Sequence, residues 1–153
     1  MERIFWSIAF PGFGQFLNGK YIKGITFIIL ELVINVRANF NEAIYYSFLG
    51  KIEKASETAE IGWLMFYPCI YFFAMWDAFK DNGGGKHPLM FLPFAFCAYS
   101  VTVGLMYYSK IEIAHHNLGP VFLPMLFVIP GILIGLLLKI LLSFLLNVKK
   151  EQN

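Results

Sequence analysis

The chain has 153 residues, of which 58% are hydrophobic and only 14% are charged. Water-soluble domains carry about 25% charged residues, so the composition excludes an ordinary soluble domain and predicts a membrane protein. The abundance of Phe, Leu and Ile excludes a disordered chain, and two cysteines are too few for a disulfide scaffold. Twelve basic and ten acidic residues nearly balance, which argues against a nucleic-acid partner.

The N-terminal apolar segment, residues 4–19, is short and contains several helix-breaking residues. Pro11 is followed by Gly12, Gly14 and Gly19. Because proline lacks an amide donor and glycine is flexible, a continuous helix is disfavoured here. The segment therefore predicts a short broken helix that dips into the membrane or lies on its surface.

Four longer apolar segments follow. A helix needs about 20 residues to cross roughly 30 Å of hydrocarbon, and the segments that approach this length are residues 21–40, 61–79, 88–109 and 118–139. The sequence thus predicts an all-α, polytopic integral membrane protein with four transmembrane helices in one domain. Residues 140–153 either continue the last helix or form a cytoplasmic tail along the inner leaflet.

The Lys and Arg residues predict the orientation, because cytoplasmic loops are enriched in them. With four crossings, seven basic residues share one face against four on the other. The larger set is Arg3, Lys20, Lys23, Lys80, Lys86, Lys149 and Lys150, and the smaller is Arg37, Lys51, Lys54 and Lys110. A fifth crossing by residues 4–19 would reduce the difference to six against five. Both arrangements place the C-terminus of this multi-pass cell-membrane protein in the cytoplasm.

The most distinctive string is P-G-F-G-Q-F-L-N-G at residues 11–19, followed by Lys23 and Gly24. Glycines two apart permit a close approach of two backbones, and the Gln15 amide needs a partner in lipid. Asn18 and Gly19 favour a tight turn. The string therefore predicts a packed helical hairpin. It does not match a phosphate-binding loop, which requires G-x-G-x-x-G after a strand or a G-K-[ST] element.

Together with W-D-A-F at residues 76–79, this string resembles the two-transmembrane-helix domain family and its bacterial relatives. The resemblance covers about residues 5–82 and implies a pair of packed spans but little chemistry. The chain departs from the family in a long insert at residues 37–60 and in two further spans. The implied motif positions are Gly12, Gly14, Gln15, Asn18, Gly19 and Asp77.

The carboxylate of Asp77 lies at the predicted cytoplasmic end of its helix. One hypothesis is that Asp77 accepts hydrogen bonds from the turn at residues 18–19 or pairs with Lys20 or Lys23. The alternative is a solvated carboxylate at a helix end. The two interpretations stay open at the level of sequence.

Glu31 is the one acid well inside a predicted span, where an unpaired carboxylate costs several kcal/mol. Glu31, Asn35, Asn39 and Glu42 follow at spacings of four, four and three, which predicts one polar helix face. Such a face is typical of a proton or ion pathway, with Lys139 as a partner for Glu31. The alternative, which the sequence favours, is a single interhelical hydrogen bond.

The last predicted span carries Gly131 and Gly135 in a G-x-x-x-G pattern, which lets two helices approach closely. The pattern fits either a dimer face or packing on a neighbouring helix of the same chain. The second interpretation is favoured in a protein with four spans.

Glu112, His115 and His116 form an incomplete metal set in a predicted outer loop, and neither H-E-x-x-H nor G-x-S-x-G occurs. We therefore expect no cofactor, no metal and no catalytic residue.

The leading functional expectation is a non-enzymatic accessory or scaffold protein that acts by helix packing. Its expected partners are the lipid bilayer and either another membrane protein or a second copy. The alternative is a small transporter or channel subunit that uses Glu31.

Overall fold

The computed structural model describes residues 2–86 and 89–151, and the side chains of residues 5–86 and 89–146. The helices are α1 (Glu2–Ala9), α2 (Phe13–Leu17), α3 (Tyr21–Arg37), α4 (Phe40–Phe48), α5 (Ile52–Thr58), α6 (Ile61–Leu64), α7 (Phe66–Asp81), α8 (Leu92–Tyr107), α9 (Gly119–Leu126) and α10 (Val128–Glu151). A 3-10 turn (Gly84–Lys86) and an antiparallel pair, β1 (Glu112–Ile113) and β2 (His116–Asn117), complete the structure. The predicted all-α fold class is confirmed.

One helical stretch is long and apolar enough to cross a membrane. It runs over Gly119–Leu146, 28 residues with a mean hydropathy of 2.7 in its most apolar window. The other predicted spans give shorter helices, with 17 residues in α3 and 16 each in α7 and α8. At 1.5 Å per residue they measure about 24–26 Å, less than the roughly 30 Å of hydrocarbon. Within the described residues, helix length and composition therefore support one crossing and not the four that the sequence predicts.

Local backbone breaks account for the shorter helices. The first predicted span, residues 21–40, ends at Arg37 because Asn39 adopts a left-handed conformation with φ 51°. The second, residues 61–79, is interrupted at Met65 between α6 and α7. The third, residues 88–109, becomes helical only at Leu92. A hydropathy average depends only on the side chains in a segment, so it does not detect a change in backbone conformation.

The end of the chain forms a continuous helix. The fourth predicted span, residues 118–139, comprises α9, a bend at Phe127 and the first half of α10. Helix α10 then continues to Glu151, so residues 140–151 extend the last helix instead of forming a separate tail. Lys139 lies within this helix.

The N-terminal segment folds into two short helices joined by a turn at residues 10–12. The Phe13 amide donates to the Phe10 carbonyl at 3.2 Å. Gly12 has φ 102°, and a Cβ there would lie 2.6 Å from the Gly24 carbonyl oxygen and 2.8 Å from Ile28 Cγ1. Conformation and space therefore both require glycine. With 8 and 5 residues, α1 and α2 measure about 12 and 8 Å, so neither spans a bilayer.

Helix packing depends on small residues. Helix α8 packs between α7 and α10, and α3 packs against α7. A Cβ at Gly131 would lie 2.7 Å from Cys97 Cα, and one at Gly135 would lie 2.5 Å from Pro93 Cα. The G-x-x-x-G pattern thus faces α8 of the same chain. Close backbone contact of this kind is typical of membrane helices.

Small residues make up much of the interior of this protein, while many large apolar side chains are exposed. Many buried hydrophobic residues are alanines, including Ala38, Ala43, Ala55, Ala74 and Ala78, which are 0% exposed. Large apolar side chains instead cover the outside of α3, α7, α8 and α10. Such an extended apolar surface requires a partner, because contiguous exposed patches are small on soluble monomers.

Candidate functional site: a polar junction between the glycine-rich motif and helix α7

A turn brings the glycine-rich motif to the C-terminal end of α7. The Gly19 amide donates to the Phe16 carbonyl and the Lys20 amide to the Gln15 carbonyl, both at 2.9 Å. With φ 72° at Gly19, this is a Schellman motif, which satisfies the last carbonyls of α2. The chain then enters α3 directly. The end of α2 and the first turn of α3 therefore lie together beside α7.

Five polar side chains meet there and form what we term the polar junction: Gln15, Asn18, Lys23, Asp77 and Asp81. Asp77 and Asp81 lie four residues apart on α7, so they share one helix face. The junction joins α2, α3 and α7 at one end of the molecule.

Gln15 is fully buried at the centre of the junction. Its Nε2 donates to the Ala74 carbonyl at 2.7 Å and to Asp77 Oδ2 at 3.2 Å. Its Oε1 has no hydrogen-bond partner among the described residues. A reversed amide would direct that oxygen at two acceptors, so the orientation follows from the neighbours. The amide binds α2 to α7 through both a backbone and a side-chain acceptor.

The ion pair at the junction connects α3 with α7. Lys23 Nζ lies 2.6 Å from Asp77 Oδ1 and 3.1 Å from Asp81 Oδ2. The Asp77 side chain is 14% exposed and that of Lys23 is 45% exposed. Asp77 therefore accepts hydrogen bonds from two helices at once. Short charge-assisted bonds of this kind are the stronger class of protein hydrogen bond.

The geometry distinguishes the alternatives for Asp77. The carboxylate is paired with Lys23, one of the two lysines that the sequence offers, and is not a freely solvated helix end. The Asn18 side chain donates to the Ala78 carbonyl at 3.0 Å, one residue further along α7. Gln15 and Asn18 of the glycine-rich motif thus both donate hydrogen bonds to α7, Gln15 to Ala74 and Asp77, and Asn18 to Ala78.

The remaining motif positions bring backbones together. Pro11, Gly12 and Gly14 are all buried. A Cβ at Gly24 would lie 2.9 Å from a ring carbon of Phe16 and 3.1 Å from the Gly12 carbonyl oxygen. The motif positions therefore form one packed corner around the polar junction.

Glu31 is a second polar site, about two helical turns along α3 from Lys23. It is 4% exposed, and Asn35 Nδ2 lies 3.4 Å from its Oε1. The Asn35 amide also donates to Asn41 Oδ1 at 3.2 Å. In the described part of the chain no salt bridge joins Glu31 to Lys139. The reason is architectural, since α10 packs on α8 whereas α3 packs on α7.

The predicted continuous face of Glu31, Asn35, Asn39 and Glu42 is wrong. Helix α3 ends before Asn39, whose side chain donates to the Thr58 carbonyl at 3.3 Å. Glu42 lies in the first turn of α4 and is exposed. The spacing argument assumed one uninterrupted helix, and the left-handed residue invalidates that assumption.

The loop between α8 and α9, predicted to lie outside the membrane, is a tight hairpin. Glu112 lies opposite Asn117, and Ile113 opposite His116. Ala114 and His115 have φ of 52° and 63°, so both central residues of the turn are left-handed. Across the described residues, no three His, Cys, Asp or Glu side chains are grouped as metal ligands.

An apolar cavity of about 640 Å³, which no sequence pattern predicted, lies between α1, α4, α6, α7, α8, α9 and α10. Its lining includes Phe40, Tyr67, Tyr71, Val101 and Met125. These residues are far apart in the sequence, and no local pattern links them. Only the packing of the helices brings them together.

Comparisons of the chain with protein-family models, with curated proteins and with solved structures found no match.

Proposed function

We propose that the protein is a multi-pass protein of the bacterial-type cytoplasmic membrane, with its C-terminus in the cytoplasm. The proposal is supported by the apolar outer surface of α3, α7, α8 and α10. Only 28% of the most apolar window in Gly119–Leu146 is buried, which disfavours a core helix of a soluble protein. The shorter helices would be accommodated by local thinning of the bilayer, which costs fractions of a kcal/mol per Å.

The distribution of charge supports the same arrangement. Lys20, Lys23, Lys80 and Lys86 lie at the end of the molecule that holds the polar junction. The charged helix α5 and the β-hairpin lie at the opposite ends of the neighbouring helices. We place the junction end in the cytoplasm because it carries more basic residues.

We also propose that residues 5–82 are related to the two-transmembrane-helix domain family. The support is that the two separated elements of the resemblance form one site. Gln15 of the first element and Asp77 of the second are hydrogen-bonded to each other. The family assignment adds a structural role for these residues and no chemical activity.

The orientation is testable by labelling single cysteines in a background of Cys69→Ala and Cys97→Ala. We expect Glu57→Cys, on exposed α5, to react with a membrane-impermeant maleimide in intact cells. Lys86→Cys, next to the junction end, should react only after the membrane is permeabilised. Equal labelling of both cysteines in intact cells would contradict the topology. Recovery of the protein from the soluble fraction would contradict membrane insertion itself.

We infer that the role of the protein is non-enzymatic, as an accessory or scaffold protein that acts through helix packing. The observation that carries this inference is that the polar side chains of the junction bind one another and the backbone of α7. A site so engaged within the chain holds helices together. The lipid-facing surfaces of α3 and α10 then remain for a membrane-protein partner or a second copy.

The alternative function is a small transporter or channel subunit, and the burial of Glu31 is the observation that favours it. A buried carboxylate whose one hydrogen bond from Asn35 is 3.4 Å long is typical of a functional residue within a membrane. An ion or proton pathway would need this carboxylate to change its protonation or its partner.

Ion flux separates the two functions. If the accessory role is correct, purified protein in sealed vesicles should conduct protons, Na⁺ and K⁺ no faster than empty vesicles, and Glu31→Gln should change nothing. A flux carried by the wild type and abolished by Glu31→Gln, but retained by the exposed control Glu57→Gln, would establish the transporter instead. Vesicles containing a known proton carrier confirm that the assay detects flux.

A further inference from the structure

The apolar cavity extends along the N-terminal part of the α9–α10 stretch. Its lining runs from Pro120 to Ile129, which is about 14 Å of helix. The opposite walls come from Phe40 and Phe48 around α4 and from Val101 on α8. A volume of about 640 Å³ is within the range of sites that hold small molecules. The cavity, which we term the slot, therefore offers an apolar wall about 14 Å long.

The slot opens on the apolar outer surface of the molecule. Four of its lining residues are exposed, namely Ile8, Phe48, Met125 and Ile129, between 44% and 70%. In the proposed membrane arrangement this opening faces lipid. A chain from the surrounding bilayer can therefore reach the slot sideways without passing through water.

Two tyrosines contribute the hydroxyl groups of the lining. The Tyr71 hydroxyl donates to the Ile8 carbonyl at 2.6 Å, so it is already engaged. The Tyr67 ring packs on Phe40 and Tyr71, but within the described part of the chain its hydroxyl has no hydrogen-bond partner. Tyr67 is half-buried, and a tyrosine hydroxyl in apolar surroundings usually finds a partner. Of the two lining hydroxyls, that of Tyr67 is therefore the one able to donate to a bound molecule.

The position of Tyr67 along the membrane normal indicates which acceptor its hydroxyl can reach. It is the second residue of α7, at the end of the helix away from the polar junction. In the proposed orientation this end is near the outer interface, where the ester carbonyls of phospholipids lie above their hydrocarbon chains. A carbonyl accepts a hydrogen bond from the hydroxyl, while the chain below it fills the apolar part.

We infer that the slot binds one acyl chain of an outer-leaflet phospholipid, with the ester carbonyl accepting a hydrogen bond from Tyr67. The inference rests on the proposed membrane placement and orientation. It assigns the slot to a single lipid chain, distinct from the lipids that cover α3 and α10.

The inference is tested by titrating the delipidated protein in detergent with dioleoyl phosphatidylcholine and with its ether-linked analogue. Native mass spectrometry counts the bound lipid. We expect one tightly held ester lipid per chain and roughly two- to tenfold weaker binding of the ether analogue, as for the loss of one neutral hydrogen bond. Tyr67→Phe should bind both lipids equally. The exposed control Tyr99→Phe should behave as the wild type.

Filling the slot provides an independent test. Val101→Phe, and Met125→Trp at the rim, should each abolish the tightly held lipid, whereas Ile132→Phe on the outer face of α10 should retain it. Thermal unfolding verifies that each variant is folded. Equal binding of the ester and ether lipids by the wild type, or retention of the lipid by both filled variants, would overturn the inference. An error in the proposed membrane topology would be detected separately, by the labelling of Glu57→Cys and Lys86→Cys in intact cells.

Discussion

A Gly135→Leu variant is expected to lose about 3 kcal/mol of unfolding free energy, at the upper end of the usual cost of overpacking. A Cβ at this position would lie 2.5 Å from Pro93 Cα and 2.9 Å from the Leu92 carbonyl oxygen. Both neighbours are backbone atoms of α8, so no side-chain rotation relieves the clash. The helices must separate, and the contacts along their interface are lost with them. Unfolding of the purified protein in detergent, followed by circular dichroism, measures the loss.

Gly62→Leu is the matched control for this variant. Gly62 also lies in a helix, but a Cβ there would meet nothing within 4 Å. Leucine has the higher helix propensity, so the control should equal or slightly exceed the wild type in stability. If Gly135→Leu unfolds at the same point as this control, the described contact between α8 and α10 is wrong.

The same variant separates the two interpretations of the G-x-x-x-G pattern. If the pattern formed a dimer face, Gly135→Leu would dissociate a dimer and leave the stability of the monomer unchanged. Packing against Pro93 and Cys97 within the chain predicts the opposite, a less stable protein with an unchanged oligomeric state. Size-exclusion chromatography with light scattering, run on the same samples, distinguishes these outcomes.

The glycine patterns show what local sequence is able to predict. Small residues at a spacing of four predict that a helix allows close approach, because the spacing defines one face. They do not identify α8 as the neighbour, since this depends on how the helices pack. Likewise, the glycines and the amide of Gln15 predicted a packed hairpin, and the charge of Asp77 made a lysine partner plausible. The choice of Lys23 over Lys20 depends on where the Schellman turn places the first residues of α3.

The predictions of four full-length spans and of a continuous polar face were wrong for the same physical reason. Hydropathy and helical spacing both treat a segment as one continuous helix. Asn39 interrupts α3 in a left-handed conformation, which asparagine tolerates better than most residues, and this removes the predicted polar face. A turn residue, Met65, separates α6 from α7, and α8 begins only at Leu92, so the helices of two more predicted spans are shorter. Each break depends on one or two residues, too few to alter an average over twenty.

The apolar slot could not be predicted from the sequence for a different reason. Its lining combines residues from α1, from the insert at residues 37–60 and from the last helices. Each of these residues, taken alone, is an ordinary side chain of an apolar segment. Even Tyr67 gives no signal in the sequence, because its significance depends on its having no hydrogen-bond partner among the residues that the structure describes. Sites of this kind follow from tertiary packing and not from motifs.

Removal of the Asp77 charge from the polar junction should cost less stability than the clash at Gly135 and more than an exposed substitution. Asp77→Asn keeps the shape of the side chain and eliminates its charge, which weakens the bonds from both Lys23 and Gln15. Hydrogen bonds to charged groups contribute about 1.5–3 kcal/mol, so we expect a loss of about 2 kcal/mol in unfolding free energy. Glu57→Gln, an exposed carboxylate on α5, is the control and should change stability by less than about 0.5 kcal/mol.

A double-mutant cycle with Lys23→Gln isolates the interaction between the two charges. Because Lys23 is 45% exposed, solvent screens the pair, and we expect a coupling of about 1 kcal/mol rather than the larger value of a buried pair. The coupling should decrease as the salt concentration rises, whereas the bond from Gln15 to the Ala74 carbonyl should not respond to salt. Fully additive losses at low salt would show that the charge pair of Lys23 and Asp77 contributes nothing to the attachment of α3 to α7, which would then depend on packing and on the hydrogen bonds to the α7 backbone. A salt-dependent coupling would instead assign part of the attachment of α3 to the charge of Asp77, as the contact of 2.6 Å predicts.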